Sequence, residues 1–357
     1  MKSYGRRTFL AVLLTLQSGA AFGFGIEAKG RLKVYGQPVH ETITQKAALD
    51  SGFISAAQTQ EMKHLLEGVR FNDDPEGYLL EGTKASQTSN AVIGFALEFI
   101  GGGKKHQNDP TKASHFGEYQ FLHAMGKSDV TPADIKGRIM VYLYHCWLMA
   151  TTPDSFEKFA RDYSVVSNQL NSPVENFRFS RDQLVIKRVV QLFPHDVLFF
   201  HATNQMQFQY RALGSLLHVI QDSYSKGHVV RAGWEEGDNA GKIRYFQDYS
   251  AQDSSKHSHL DNHQHGKANA GNFTEIPAAS VAYERSKQIL SLIVNNCPWT
   301  KEQAGFAQCE TSIYSLLDGD IFDFDEDTGV ELRSTRSHPE MLKPEPNPFP
   351  ENGGVGE

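Results

Sequence analysis

Apolar residues recur at helical spacing through most of the chain. The i, i+3, i+4 pattern predicts helices over His40–Leu49, Ala56–Val69, Ile135–Ala150, Arg181–Leu192, Gln205–Tyr224 and Ala279–Val294. Strict apolar–polar alternation is scarce, so the predicted fold class is all-α. Ser89–Ile100 is apolar and runs into Gly101-Gly102-Gly103, a helix stop or a flexible loop. Trp234–Asn272 is polar and rich in Gly, Asp, His and Asn. It predicts a long loop, and loops of that length in a compact domain are usually functional or disordered. After Leu317 the chain turns acidic and then proline-rich, with five of its 14 prolines from Pro339 onward. Residues 318–357 are therefore expected to form a mostly extended tail. No internal repeat is evident.

The N-terminus breaks this pattern. Lys2, Arg6 and Arg7 precede an apolar run, Phe9–Leu16, that is too short to span a membrane. Small residues follow at Ser18, Gly19, Ala20, Ala21 and Gly23, so residues 1–23 read as a signal peptide cleaved after Ala21 or Gly23. Gly5–Leu10 (GRRTFL) resembles the twin-arginine export motif, with an ordinary secretory signal as the alternative. The expected location is outside the cytoplasm, periplasmic or secreted. No other apolar run is long enough to serve as a transmembrane anchor.

Composition narrows the function classes. Hydrophobic residues are 39% and charged residues 22% of 357, which excludes wholesale disorder. The net charge of −7 becomes about −10 once the signal is removed, which disfavours a polyanionic partner such as nucleic acid. The three cysteines lack CxxC spacing, so no thiolate zinc site is visible. In an oxidising compartment Cys297 and Cys309 can pair across a short loop, whereas Cys146, inside the apolar run Tyr142–Met149, reads as a buried thiol. Asp323, Asp325 and Asp327 do not complete a calcium loop: the glycine comes one position late, at Gly329, and no Glu occupies the twelfth position.

The 15 histidines carry the chemical signal. His218 and Asp222 lie four apart in LLHVIQDSYSKGHVV, which puts an imidazole and a carboxylate on one helix face. Gly227 ends that helix and His228 follows where the chain turns back. The pair sits on a face that favours burial, where a lone carboxylate is costly and a cation removes the cost. A hydrogen-bonded core His–Asp pair is the competing reading. His257 and Asp261 repeat the four-residue spacing, with His259, His263 and His265 crowded around them. That stretch equally fits a solvated His-rich loop. Three weaker signals are His115 before Phe116, the adjacent Asp73 and Asp74, and His40 at a helix start. Each alone suits a cap or a turn.

Taken together, these motifs resemble the zinc-dependent phospholipase C and single-strand nuclease superfamily over roughly residues 24 to 295. That family's order is a mature N-terminus, an early His, an Asp, a His before Phe, a His-x3-Asp-x5-His helix and a final His-x3-Glu/Asp. KGHVV and the His257/Asp261 context look closer to the bacterial secreted phosphatidylcholine-hydrolysing branch. The resemblance implies a multi-helix all-α catalytic domain over residues 24–317 with a trinuclear zinc cluster in a cleft. One zinc would take Asp73 (or Asp74), His115, His218 and Asp222. A second would take His228, His257 and Asp261. A third would take His40, Asp222 as a bridge, and the amino group and carbonyl of the mature first residue. The family usually begins with Trp; here Phe22 or Phe24 stands in, and Phe24 is the expected ligand. The stretch between Asp73 and His115 is long and reads as an insertion, a lid or a membrane-touching loop.

The implied chemistry is phosphodiester hydrolysis. Clustered zinc ions neutralise phosphate charge and lower the pKa of water to about 7, while Asp73 or Asp74 orients or deprotonates it. The expected substrate is a glycerophospholipid of the phosphatidylcholine type at a membrane surface. Carboxylate and aromatic contacts, with Glu27 and Tyr119 as candidates, would suit a cationic headgroup. The alternatives are a secreted zinc nuclease of the same superfamily and a non-catalytic zinc-binding protein.

Overall fold

The computed structural model describes residues 39–73, 114–115, 117, 119–156, 204–233, 240–252, 257 and 278–324. Within them helix dominates, 61% against 5% strand. The helices are α1 (Val39–Asp50), α2 (Gln60–Phe71), α3 (Pro132–Thr151), α4 (Gln205–Asp222), α5 (Ala279–Val294) and the short α6 (Ile313–Leu316), which continues as a π-helical turn, Leu317–Ile321.

Capping explains where these helices start. Thr59 accepts a hydrogen bond from the Met62 amide, so α2 begins at Gln60, four residues later than the apolar spacing predicts. Thr131 accepts from the Asp134 amide with Pro132 in the first turn, so α3 begins three residues early. Asn204 does the same for α4 by accepting from the Gln207 amide. That helix ends at Asp222, and Ser223 and Tyr224 form the turn beyond it. The helix Ala279–Val294 is found with its expected bounds. The expected helix Arg181–Leu192 and the apolar run Ser89–Ile100 lie outside the described residues.

Helix α4 is the axis of the fold. From Ala212 to Asp222 every residue is buried, so the polar Ser215, His218, Gln221 and Asp222 find their partners inside the protein. Each buried Leu or Ile there contributes about 2 kcal/mol. Helices α2 and α3 pack along α4, and α5 packs against both α1 and α4. The α2–α4 crossing depends on two glycines. A Cβ on Gly68 would stand 2.1 Å from the Arg211 carbonyl oxygen, and one on Gly214 would stand 2.1 Å from that of Leu65. Backbone therefore touches backbone, and the end of α2 is pressed onto the middle of α4.

Two expectations need correction. The polar stretch Trp234–Asn272 is not simply a loop. Its residues 243–246 form β2 (Ile243–Phe246), which pairs antiparallel with β1 (Val229–Arg231) in the register Val229↔Phe246 and Val230↔Tyr245. Nor does the extended tail begin at residue 318. Ile321 and Phe322 are buried, the Ile243 amide donates to the Asp323 carbonyl, and Phe324 bridges to Ile243. The reason is Arg231, fully buried beneath this segment. Its guanidinium donates to the Ser223, Gly241 and Ile321 carbonyls and lies 4.2 Å above the Tyr224 ring. Apolar side chains and a buried cation that needs acceptors hold the chain to residue 324. Residues 325–357 lie outside the described set, including Asp325 and Asp327. Cys297 and Cys309 form the expected disulfide, with Cα atoms 5.8 Å apart, and Cys146 is a buried thiol whose pKa burial pushes up.

Candidate metal centre

The site grows from the α2–α4 crossing. Asn72 caps α2 and donates from its side-chain amide to the Leu122 and Ser215 carbonyls. It also accepts from the Ser215 hydroxyl, which in turn contacts Tyr142. This clamp places Asp73 beside α4 and fastens the 3-10 turn Gln120–His123 next to it. Gln120 ties the same turn to the segment after β2, donating to Asp248 and accepting from the Tyr249 amide.

Six imidazoles and two carboxylates converge there, all at 2% exposure or less: His40, His115, His123, His218, His228, His257, Asp73 and Asp222. Asp222 is the hub. Its Oδ1 lies 3.2 Å from His40 Nε2. Its Oδ2 lies 2.9 Å from His218 Nε2, 3.0 Å from His123 Nδ1 and 3.4 Å from His228 Nδ1. The His40 and His218 rings stack at 4.1 Å, those of His228 and His257 at 5.0 Å, and His115 leans on His123 at 4.6 Å. Three overlapping donor groups result, each with one ligand atom per residue mutually within 4.8 Å. They are His40/His218/Asp222, Asp73/His115/His123 and His123/Asp222/His228.

The outer contacts of the rings decide what these nitrogens can do. His218 Nδ1 lies 2.7 Å from the Val69 carbonyl and His228 Nδ1 2.7 Å from that of His123. His40 Nδ1 lies 2.6 Å from Gln221 Oε1, and His257 Nδ1 meets Gln252 Oε1. Both amides are oriented by their other end: Gln221 donates to Thr44 Oγ1 and Gln252 to the Gly227 carbonyl. Every one of these partners is an acceptor, so Nδ1 carries the proton in all four rings. The lone pair is then on Nε2. At Asp222 the His40 and His218 lone pairs therefore face carboxylate oxygens, acceptor against acceptor, an arrangement that repels unless a cation lies between. Orientation of a ligating imidazole through its other nitrogen is what metal sites require.

Burial reinforces this. Desolvation pushes His218 down to about 3 and lowers His123, so these rings are neutral at physiological pH. Neutral imidazoles and an ionised carboxylate are the forms that ligate. Nitrogen and oxygen donors of this kind suit zinc, so the residues present fit the ion implied by the resemblance.

The structure thus brings together His40, Asp73, His115, His218, Asp222, His228 and His257 from five separate stretches of chain. Phe24, Asp74 and Asp261 lie outside the described residues, as do Glu27, His259, His263 and His265. His123 was not expected. It stands alone between Leu122 and Ala124 with no carboxylate or imidazole at helical spacing, so nothing local marks it. No family model, curated protein or solved structure matches the chain. Among the described residues no helix is long and apolar enough to cross a membrane.

Proposed function

We propose that the chain is an exported zinc metallohydrolase that cleaves the phosphodiester of glycerophospholipids of the phosphatidylcholine type. The products would be diacylglycerol and a phosphorylated headgroup. The observation that supports it most is the set of imidazole lone pairs facing Asp222, an arrangement that a cation held between them would relieve. His40, His218 and Asp222 would hold one zinc, Asp73 with His218 and Asp222 another, and His228 with His257 a third. Asp261 and the mature N-terminus, at Phe24, would complete these sets. When bound, the zinc ions supply charge neutralisation and Lewis acidity toward a phosphoryl oxygen.

The protein residues have separate tasks. Asp73, buried beside the cluster, accepts the proton of an attacking water. Gln221, Gln252 and the Val69 and His123 carbonyls keep the ligating nitrogens aimed inward. The neutral rings leave the loaded site positively charged, which suits an anionic phosphodiester more than a neutral ester. The test is zinc content together with hydrolysis of a phosphocholine ester and of single-stranded DNA, all on one sample of processed protein. Three zinc ions with ester turnover is the expected result. Turnover of DNA alone would return the nuclease reading, zinc with neither activity a non-catalytic zinc-binding protein. Absence of zinc would end the proposal.

A further inference from the structure

The His123 ring stands where neither spacing nor resemblance places a ligand. Its Nδ1 is 3.0 Å from Asp222 Oδ2, 3.3 Å from His218 Nε2 and 3.8 Å from Asp73 Oδ1. His218 Nε2 is itself 2.9 Å from Asp222 Oδ2 and 4.0 Å from Asp73 Oδ1. Two donors held at about 2.0–2.2 Å on one tetrahedral ion lie about 3.3–3.6 Å apart. The five distances straddle that value, so each pair of these atoms lies close to the separation that two ligands of one ion require. His115, which the resemblance puts at the fourth corner, shares a donor group with Asp73 and His123 but none with His218 or Asp222. Its ring packs on His123 and meets Tyr249 edge-on at 5.3 Å, and its Nδ1 is 3.0 Å from Ser114 Oγ.

We propose that His123 is itself a metal ligand, through Nδ1, and closes the Asp73/His218/Asp222 set, with His115 packed behind it. This rests on the metal-centre reading and adds to it a ligand of a different kind, since His40, His218, His228 and His257 offer Nε2. The backbone supports the assignment. Ala124 adopts a left-handed conformation (φ 50°) that ends the 3-10 turn at His123. That conformation is unfavourable for alanine, and its N–H caps the turn on the Gln120 and Phe121 carbonyls. One residue then serves two parts of the cluster: its side chain enters one donor set, and its carbonyl orients His228 of the other. The carbonyl survives any side-chain substitution, so the two roles separate experimentally.

The experiment compares His123→Ala with His115→Ala by zinc content and by the visible absorption of the cobalt(II)-substituted proteins. The zinc-loaded wild type is examined in parallel by long-range proton–nitrogen correlation of its histidine rings. His123→Ala is expected to lose one zinc per chain and to alter the cobalt spectrum, while His115→Ala keeps the wild-type count. The wild-type spectrum is expected to hold one imidazole ligated through Nδ1 among others ligated through Nε2. A His123→Ala protein with the full zinc count and an unchanged cobalt spectrum would overturn the inference. So would a wild type whose ligated rings all bind through Nε2, a measurement that needs no variant to fold. In both of those results the metal centre itself stands; a wild type that binds no zinc removes both.

Discussion

Helices α2 and α4 carry two groupings of the same residue types, and they behave in opposite ways. On one side of the crossing His64 Nδ1 lies 2.9 Å from Glu67 Oε2, and Arg211 Nη2 lies 2.7 Å from the same oxygen. Donors meet an acceptor, the charges are paired within the protein, and Glu67 is one-fifth exposed to water. On the other side His218 and Asp222 also form a short-range pair, but Val69 holds the His218 proton on the far nitrogen, and no Arg or Lys among the described residues pairs with Asp222. The first is a closed ion pair; in the second the His40 and His218 lone pairs face the Asp222 carboxylate, an arrangement that a bound cation would relieve. Helical spacing between a histidine and a carboxylate is thus not what makes a metal site. The groups behind the rings decide it, by choosing which nitrogen carries the proton.

Breaking the hub tests this contrast most severely. Asp222→Asn removes the charge that His40, His123 and His218 surround, and it should release zinc and lower hydrolysis by roughly a thousandfold, about 4 kcal/mol in barrier. His64→Ala should leave zinc content and turnover unchanged. If the two variants lose zinc equally, the distinction between the groupings is wrong.

Next in size is the crossing that both groupings share. Gly214→Ala forces a methyl group into the Leu65 carbonyl. It should cost about 3 kcal/mol in denaturant unfolding, near the upper end for overpacking. Zinc affinity should fall with it, because the same crossing brings the end of α2, and Asp73 after it, against α4. A stable Gly214→Ala protein with wild-type zinc binding would show that the crossing does not position the site.

A smaller change sharpens the claim about orientation. Gln221→Leu removes the acceptor of the His40 proton but leaves every expected ligand in place. Zinc affinity measured by competition with a chelator should drop on the order of tenfold, the low end for loss of an orienting group. Gln221→Glu keeps an acceptor there and should recover most of the loss.

The smallest effect lies on the closed side. Burial works to raise the Glu67 carboxyl, but the His64 hydrogen bond and Arg211 outweigh it and hold it below the ordinary glutamate value. A carboxylate lowered in the folded state stabilises fully above 4.5 and loses that contribution as pH falls through its folded value. In metal-free protein, Glu67→Gln should therefore be less stable than wild type at pH 7, and the difference should shrink below about pH 4. A gap that stays constant down to pH 2 would mean that Glu67 is not paired as described.

Local pattern made much of this legible. Apolar spacing located α1, α2, α3, α4 and α5 to within four residues at either end, because each has a buried face repeating at the helical period. The pairing of His218 with Asp222 followed from one helical turn, and that of Cys297 with Cys309 from a short loop. The hairpin was hidden because β1 and β2 are three and four residues long, one of them inside a polar stretch that gives no alternation to read. The docked residues Ile321–Phe324 were hidden because the acidic run beside them outweighs two buried aromatic or aliphatic side chains in any compositional window.

What the amino-acid sequence determined alone is the inventory: which helices form, and that one of them carries an imidazole and a carboxylate on the same face. Tertiary structure decided the rest of the site. His40 reaches Gln221 across 181 positions, His218 reaches Val69 across 149, and His123 reaches Asp222 across 99. Neighbours that far apart are set by which helix faces bury together and by two glycines that let backbones touch, and no spacing rule extends over such distances. The tautomer of each ring, and with it the choice between an ion pair and a metal site, is fixed by contacts that exist only once the chain has folded.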